Sequence, residues 1–147
     1  MDRWQVMEVI GMIDWIPWSD HYIVGIDSID EQHRELFRRF NQVCDAVWDG
    51  QGKESIRNFL HYLAQYTQEH FGNEETNMRK HGYPAYEAHK KAHDSLVADV
   101  SVFVEKYETE DVPADVVVKV ISDLGDWTRN HIRLMDQELG RFLQAQK

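Results

Sequence analysis

This chain has little of several things that would point elsewhere. It contains one cysteine, Cys44, so no internal disulfide framework exists and a reducing compartment suits it. Three prolines and eight glycines in 147 residues are too few to punctuate many short strands, and long helices are expected instead. Positive charge is scarce: 16 Lys and Arg stand against 26 Asp and Glu, for a formal net charge of −10. Such a chain repels nucleic-acid phosphates and anionic lipid. Long apolar runs are also missing. The apolar-looking start, MDRWQVMEVIGMIDWIPW, is broken by Asp2, Glu8 and Asp14, and reads neither as a signal core nor as a membrane span. Residues 1–15 are taken as an N-terminal arm, and 16–147 as one domain of cytoplasmic type.

What is present is helical periodicity, and apolar residues make up 42% of the chain. Leu36, Phe37, Phe40, Val43, Cys44, Val47 and Trp48 form one stripe, opened by a capping box in which Ser28 caps and Glu31 closes. A second stripe runs from about Glu54 through Ile56, Phe59, Leu60, Leu63, Tyr66 and Thr67 to His70, with Gly82 as its stop. Pro84 fits the first turn of a third helix, which carries Leu96, Val97, Val100, Phe103, Val104 and Tyr107. A fourth opens near Pro113 and shows Val116, Val117, Val120, Ile121, Leu124, Trp127 and Thr128, running on towards Phe142. Short connections between such helices imply an all-α fold, an antiparallel up-down four-helix bundle.

Polar residues on these apolar stripes carry the functional signal. His33 shares a face with Leu36 and Phe37. His70 and Glu74 lie one turn apart, as do His89 and His93 in HKKAH. His131 follows Leu124 and Thr128, and Asp136 comes five residues later. A histidine pair four apart is by itself commonplace, and a lone inward histidine is more often a locally bonded core residue. Seven ligand-type residues aimed inward from four helices are another matter. Burying them without partners costs several kcal/mol each. A metal centre partners all of them at once. His61 faces the other side of its helix, His81 lies roughly 10 Å of helix rise beyond Glu74, and His21 precedes the bundle; none is a ligand candidate. Cys44 reads as a small hydrophobe.

Five imidazoles and two carboxylates exceed the needs of one ion. Two octahedral ions offer twelve positions. Five histidines, two bridging carboxylates and one bridging oxide or hydroxide fill eleven, leaving one for a small ligand. Imidazole with carboxylate suits iron. One conflict is visible in the spacing: residues five apart on an ideal helix point about 140° apart. His131 and Asp136 can share a site only across a local irregularity, such as a π-bulge or a tightened turn, or by a bent side-chain path.

At IPWSDHYIVGIDSIDEQH, HFGNEE, HKKAH and HIRLMD the sequence resembles the hemerythrins, in particular single-domain bacterial ones, from Ile16 onward. The resemblance implies two non-haem irons and reversible dioxygen binding. One iron would sit on His89, His93 and His131 and the other on His33 and His70, with Glu74 and Asp136 bridging and the open position on the two-histidine iron. It further implies a dioxygen pocket at Leu36, Phe71, Trp127 and Thr128. Hemerythrins usually carry a bulky aliphatic residue three before the last-helix histidine, and Thr128 departs from that. The implied roles are storage, delivery to an oxygen-using enzyme, or sensing, without a catalytic residue. Sensing is the weakest of the three, since nearly the whole chain is spent on the bundle. A di-iron enzyme acting on peroxide or nitric oxide, or an iron store, are the alternatives. Oligomeric state is not legible.

Overall fold

The computed structural model describes residues 17–146; the expected arm, 1–15, lies outside them. Four long helices follow one another: α1 (Asp27–Trp48), α2 (Gly52–Lys80), α3 (Tyr86–Tyr107) and α4 (Ala114–His131). A π-helical turn, Ile132–Asp136, carries α4 into α5 (Gln137–Ala145). This is a four-helix bundle, with no strand among the described residues. No described helix is long and apolar enough to cross a membrane.

The core follows the stripes read from the sequence. Phe37, Phe40, Ile56, Phe59, Leu60, Leu63, Val100, Val117, Ile121 and Leu124 are all buried. Each large apolar side chain so placed contributes roughly 1.5–3 kcal/mol. Val97 is the exception: it is 37% exposed, because α3 turns Leu96 and Val100 inward and leaves Val97 on the rim.

Glycine closes two of the helices in the same way. At the end of α1, Gly50 has φ +80, its N–H bonds Val47 O at 3.1 Å, and Gln51 N bonds Ala46 O at 2.7 Å. At the end of α2, Gly82 has φ +65, its N–H bonds Arg79 O at 3.3 Å, and Tyr83 N bonds Met78 O at 2.9 Å. Both are Schellman closures. Pro84 is not in the first turn of α3. It occupies the Tyr83–Tyr86 turn, where its fixed φ suits the second position, and α3 begins two residues later.

The start of α1 also differs from the capping box. The helix begins at Asp27, before Ser28, and both Ser28 and Glu31 are exposed. Buried Asp30 takes over the polar accounting: its carboxylate accepts the N–H groups of Val24 at 2.8 Å and Gly25 at 3.2 Å. This ties the preceding segment down against α5. Gln137 Nε2 donates to the carbonyl of His21, and Gln144 Nε2 donates to Gly25 O at 3.1 Å. Gly140 is required there, since a Cβ on it would lie 2.0 Å from Val24 O. The π-turn is therefore held from outside as well as from the core.

Candidate metal centre

Each helix brings its inward polar residues to one level near one end of the bundle. His33 comes from α1, His70 and Glu74 from α2, His89 and His93 from α3, and His131 from the end of α4. Asp136 comes from the π-turn. All seven are buried, none more than 6% exposed. The five-residue step from His131 to Asp136 is absorbed by that turn: its wider coil brings Asp136 Oδ1 to 3.1 Å from His131 Nε2.

The seven residues form two overlapping sets. Ligand atoms of Glu74, His89, His93, His131 and Asp136 all lie within 4.8 Å of one another, as do those of His33, His70, Glu74 and Asp136. The carboxylates belong to both, and they divide their oxygens. Glu74 Oε1 is 2.7 Å from His70 Nε2, while Oε2 is 3.2 Å from His93 Nε2 and 3.5 Å from His89 Nε2. Asp136 Oδ2 is 3.1 Å from His33 Nε2, while Oδ1 is 2.9 Å from His89 Nε2.

The donor set fits a pair of cations. His33 Nε2 lies 3.1 Å from His70 Nε2, and His93 Nε2 lies 3.1 Å from His131 Nε2. Two of these rings are oriented from behind. His93 Nδ1 donates to Glu75 Oε2 at 3.0 Å, and His70 Nδ1 donates to Gln32 Oε1. In the neutral ring the Nε2 lone pair is then left facing inward. Lone pairs so crowded need a positive charge among them. Atoms about 2.1 Å from one octahedral ion lie about 3 Å apart, which is the spacing seen. Neither oxygen of Glu74, buried completely, makes a well-formed hydrogen bond.

Without a cation the same charges fall on protons. Burial opposes charging His89, but the Asp136 carboxylate, which accepts from its Nε2 at 2.9 Å, and the negative charge of nearby Glu74 outweigh it and raise its pKa to about 9. Burial pushes Glu74 and Asp136 upward, and Asp136 repels charge on Glu74, yet the surrounding imidazoles hold both carboxyls well below the usual range.

Beside the centre is a cavity of about 20 Å³, lined by both members of the two-histidine set, His33 and His70, and by His131 and Asp136. That volume admits about one water-sized molecule. The four expected wall residues, Leu36, Phe71, Trp127 and Thr128, all line it. Leu63, Tyr66, Thr67, Leu96 and Ile132 complete the wall and were not singled out from the sequence. Periodicity marks them as core and cannot say which part of the core is hollow. Glu75 and Gln32 were also missed; each is a sequence neighbour of a ligand candidate, and only the folded packing shows which ring it reaches. His61 is exposed beside Glu108 at 3.2 Å, and His21 and His81 are exposed.

The comparison with known proteins decides the lineage. The family model described as Hemerythrin HHE cation binding domain matches residues 24–143. The chain belongs to the hemerythrin family. It is 31% identical over 128 residues to the bacteriohemerythrin of Stenotrophomonas maltophilia, covering 87% of this chain and 81% of that one. It is 35% identical over 118 residues to that of Pseudomonas aeruginosa, covering 79% and 73%. The Methylococcus capsulatus bacteriohemerythrin is 34% identical over 121 residues, covering 82% and 90%. The crystal structure of a wild-type hemerythrin superposes with a TM-score of 0.74 at 30% identity, covering 88% of this chain and 98% of the other.

Proposed function

We infer that this hemerythrin-family protein binds dioxygen reversibly at a non-haem di-iron centre. His33 and His70 would hold one iron, His89, His93 and His131 the other, and Glu74 and Asp136 would be shared between them. The observation that carries this reading is the division of the carboxylate oxygens: each of the two buried acids turns one oxygen to each histidine set. Iron held there in the ferrous state would supply the electrons for reversible dioxygen binding.

The chain's own residues supply confinement. Both histidines of the two-histidine set line the cavity against one, His131, of the other set, and this favours dioxygen binding on the two-histidine side. Leu36, Phe71 and Trp127 exclude water there. Ring stacking fixes the imidazoles: Phe71 lies on His93 at 3.7 Å between centroids, and Trp127 on His131 at 4.4 Å. Tyr66 brings a phenol to the cavity. Burial, then Glu74, keep its pKa well above the ordinary value, and its hydroxyl donates to Gln32 O at 3.1 Å. It is a poor acid or base for turnover. Apart from the ligand candidates and Tyr66, no titratable residue among those described lines the cavity, which supports carriage over catalysis. Storage in the cytoplasm, or delivery to an oxygen-using enzyme, is the role that follows.

Two measurements test this. Metal analysis is expected to find close to two irons per chain, with charge-transfer absorption in the oxidised form; one zinc and no iron after iron-replete growth would overturn the assignment. Stopped-flow mixing of the reduced protein with dioxygen is expected to show an adduct that reverses when dioxygen is removed. Sustained consumption of dioxygen, or release of iron, would reject reversible carriage.

A further inference from the structure

The two histidine sets differ in what stands behind them. His93, in the three-histidine set, donates its Nδ1–H to the carboxylate of Glu75 at 3.0 Å. His70, in the two-histidine set, donates to the neutral amide oxygen of Gln32. His33 and His89 have Nδ1 atoms buried with no partner. Glu74 and Asp136 are shared and favour neither side. Glu75 is thus the anion outside the shared cluster that reaches a ligand ring among the described residues, and it reaches one side only. Its side chain is 14% exposed against 1% for His93, so the pair is only weakly screened.

A carboxylate accepting Nδ1–H makes the imidazole a stronger donor through Nε2. It also places a negative charge one ring away from whatever Nε2 binds. Both effects favour the higher charge on that ion. An amide accepting the same hydrogen bond orients the ring but adds only a dipole. The three-histidine side additionally has one more imidazole.

We propose that Glu75 is a positioning residue that, through His93, makes the ion on His89, His93 and His131 the more easily oxidised of the two. This rests on the di-iron reading of the centre. The ordering matters for the site as built, because the cavity is lined by both histidines of the opposite set, His33 and His70, and by one of this set, His131. The ion on His33 and His70 then keeps the lower charge in the half-oxidised state.

The test is a mediated redox titration of the iron-loaded full chain, followed by visible absorption and by electron paramagnetic resonance of the mixed-valence state. E75Q retains a hydrogen-bond acceptor and removes the charge. The expected result is an upward shift of the first midpoint potential, equivalent to about tenfold in the oxidation equilibrium, or about 59 mV for one electron. The melting temperature and iron content should be unchanged. The mirror substitution, Q32E, puts a carboxylate behind His70 and should lower the second potential, closing the gap between the steps. If E75Q does not load iron, E75D carries the test. It keeps the charge but draws it back from Nδ1, and a smaller shift of the same sign is expected. Unchanged potentials in an iron-replete E75Q or E75D would overturn the proposal, as would an equal shift of both steps, which marks a general field rather than action through His93. Iron content separates the two failures: a wild-type chain without two irons overturns the di-iron reading itself.

Discussion

His131 and Asp136 are five residues apart, yet their ligand atoms meet at 3.1 Å because the chain between them forms a π-turn. A π-turn is in effect one residue added to an α-helix. Remove that residue, and the acid follows the histidine by four, on the same face of a regular helix. Leu134, 71% exposed within the turn, is the residue to delete. The expected outcome is a chain that still takes up two irons. Loss of iron from the deleted, folded protein would show that the turn's own geometry, and not only the facing of Asp136, is required.

The metal-free protein should depend on pH in a specific way. His89 has its pKa raised to about 9 by Asp136 and Glu74, despite burial. A histidine raised in the folded state contributes stability that is full below its unfolded pKa of about 6.5 and is lost as pH rises through the folded value. Glu74 and Asp136, held low, contribute stability above about pH 4 that is lost in acid. Apo protein should therefore melt highest between about pH 5 and 6.5 and lose stability towards pH 9. Iron binds the neutral imidazole, so the loaded protein should not show the alkaline decline. Thermal melts of both forms from pH 5 to 9 check this; parallel curves would contradict it.

Gly72 offers a stability gain. It lies within α2, and a Cβ built on it meets nothing within 4 Å. A glycine inside a helix marks either a close helix approach or an open face. The open face is what the fold has. Alanine is worth roughly 1 kcal/mol over glycine inside a helix. Gly72→Ala should raise the melting temperature by about 3 °C in a chain of this size. A decrease would mean that some contact fills the space in solution.

The helices and their inner faces were legible because burial here is one-sided and the period of 3.6 survives without an alignment. Leu36, Phe40, Leu63 and Leu124 announce the core directly. An irregularity before Asp136 was legible for a different reason: His131 and Asp136 could not both face inward on a regular helix, and the fold resolves it as a π-turn. Local ends were less legible. Ser28 and Glu31 have the residues of a capping box, but Asp30 forms the bonds, because the segment at Val24 and Gly25 folds back over the helix start. Pro84 suits a helix or a turn equally, and Tyr83 burying its ring selects the turn. Gln32 and Glu75 could not be read at all. Which polar neighbour reaches which ring depends on how two helices face each other.

Thr128 is where the cavity wall departs from the hemerythrin pattern. Its side chain is buried, lines the cavity, and stands one turn before His131. Two threonines share this wall, and they behave differently. Thr67 donates its hydroxyl back to Ala64 O at 3.0 Å, which removes it from the cavity's chemistry. Among the described residues Thr128 makes no such bond, which leaves its hydroxyl able to turn into the cavity that it lines. A hydroxyl in a small, largely apolar space holds a water or bonds a bound guest. Water beside the guest brings protons to it, and protonation favours departure of reduced oxygen with the irons left ferric. Leucine at this position would remove the hydroxyl and fill more of the space. Thr128→Leu should therefore slow autoxidation while leaving iron content unchanged, and it should also slow dioxygen entry. The decay rate of the oxygenated spectrum in the two proteins, at equal pH and temperature, is the measurement. An equal or faster decay in the fully loaded leucine variant would show that Thr128 does not admit the proton.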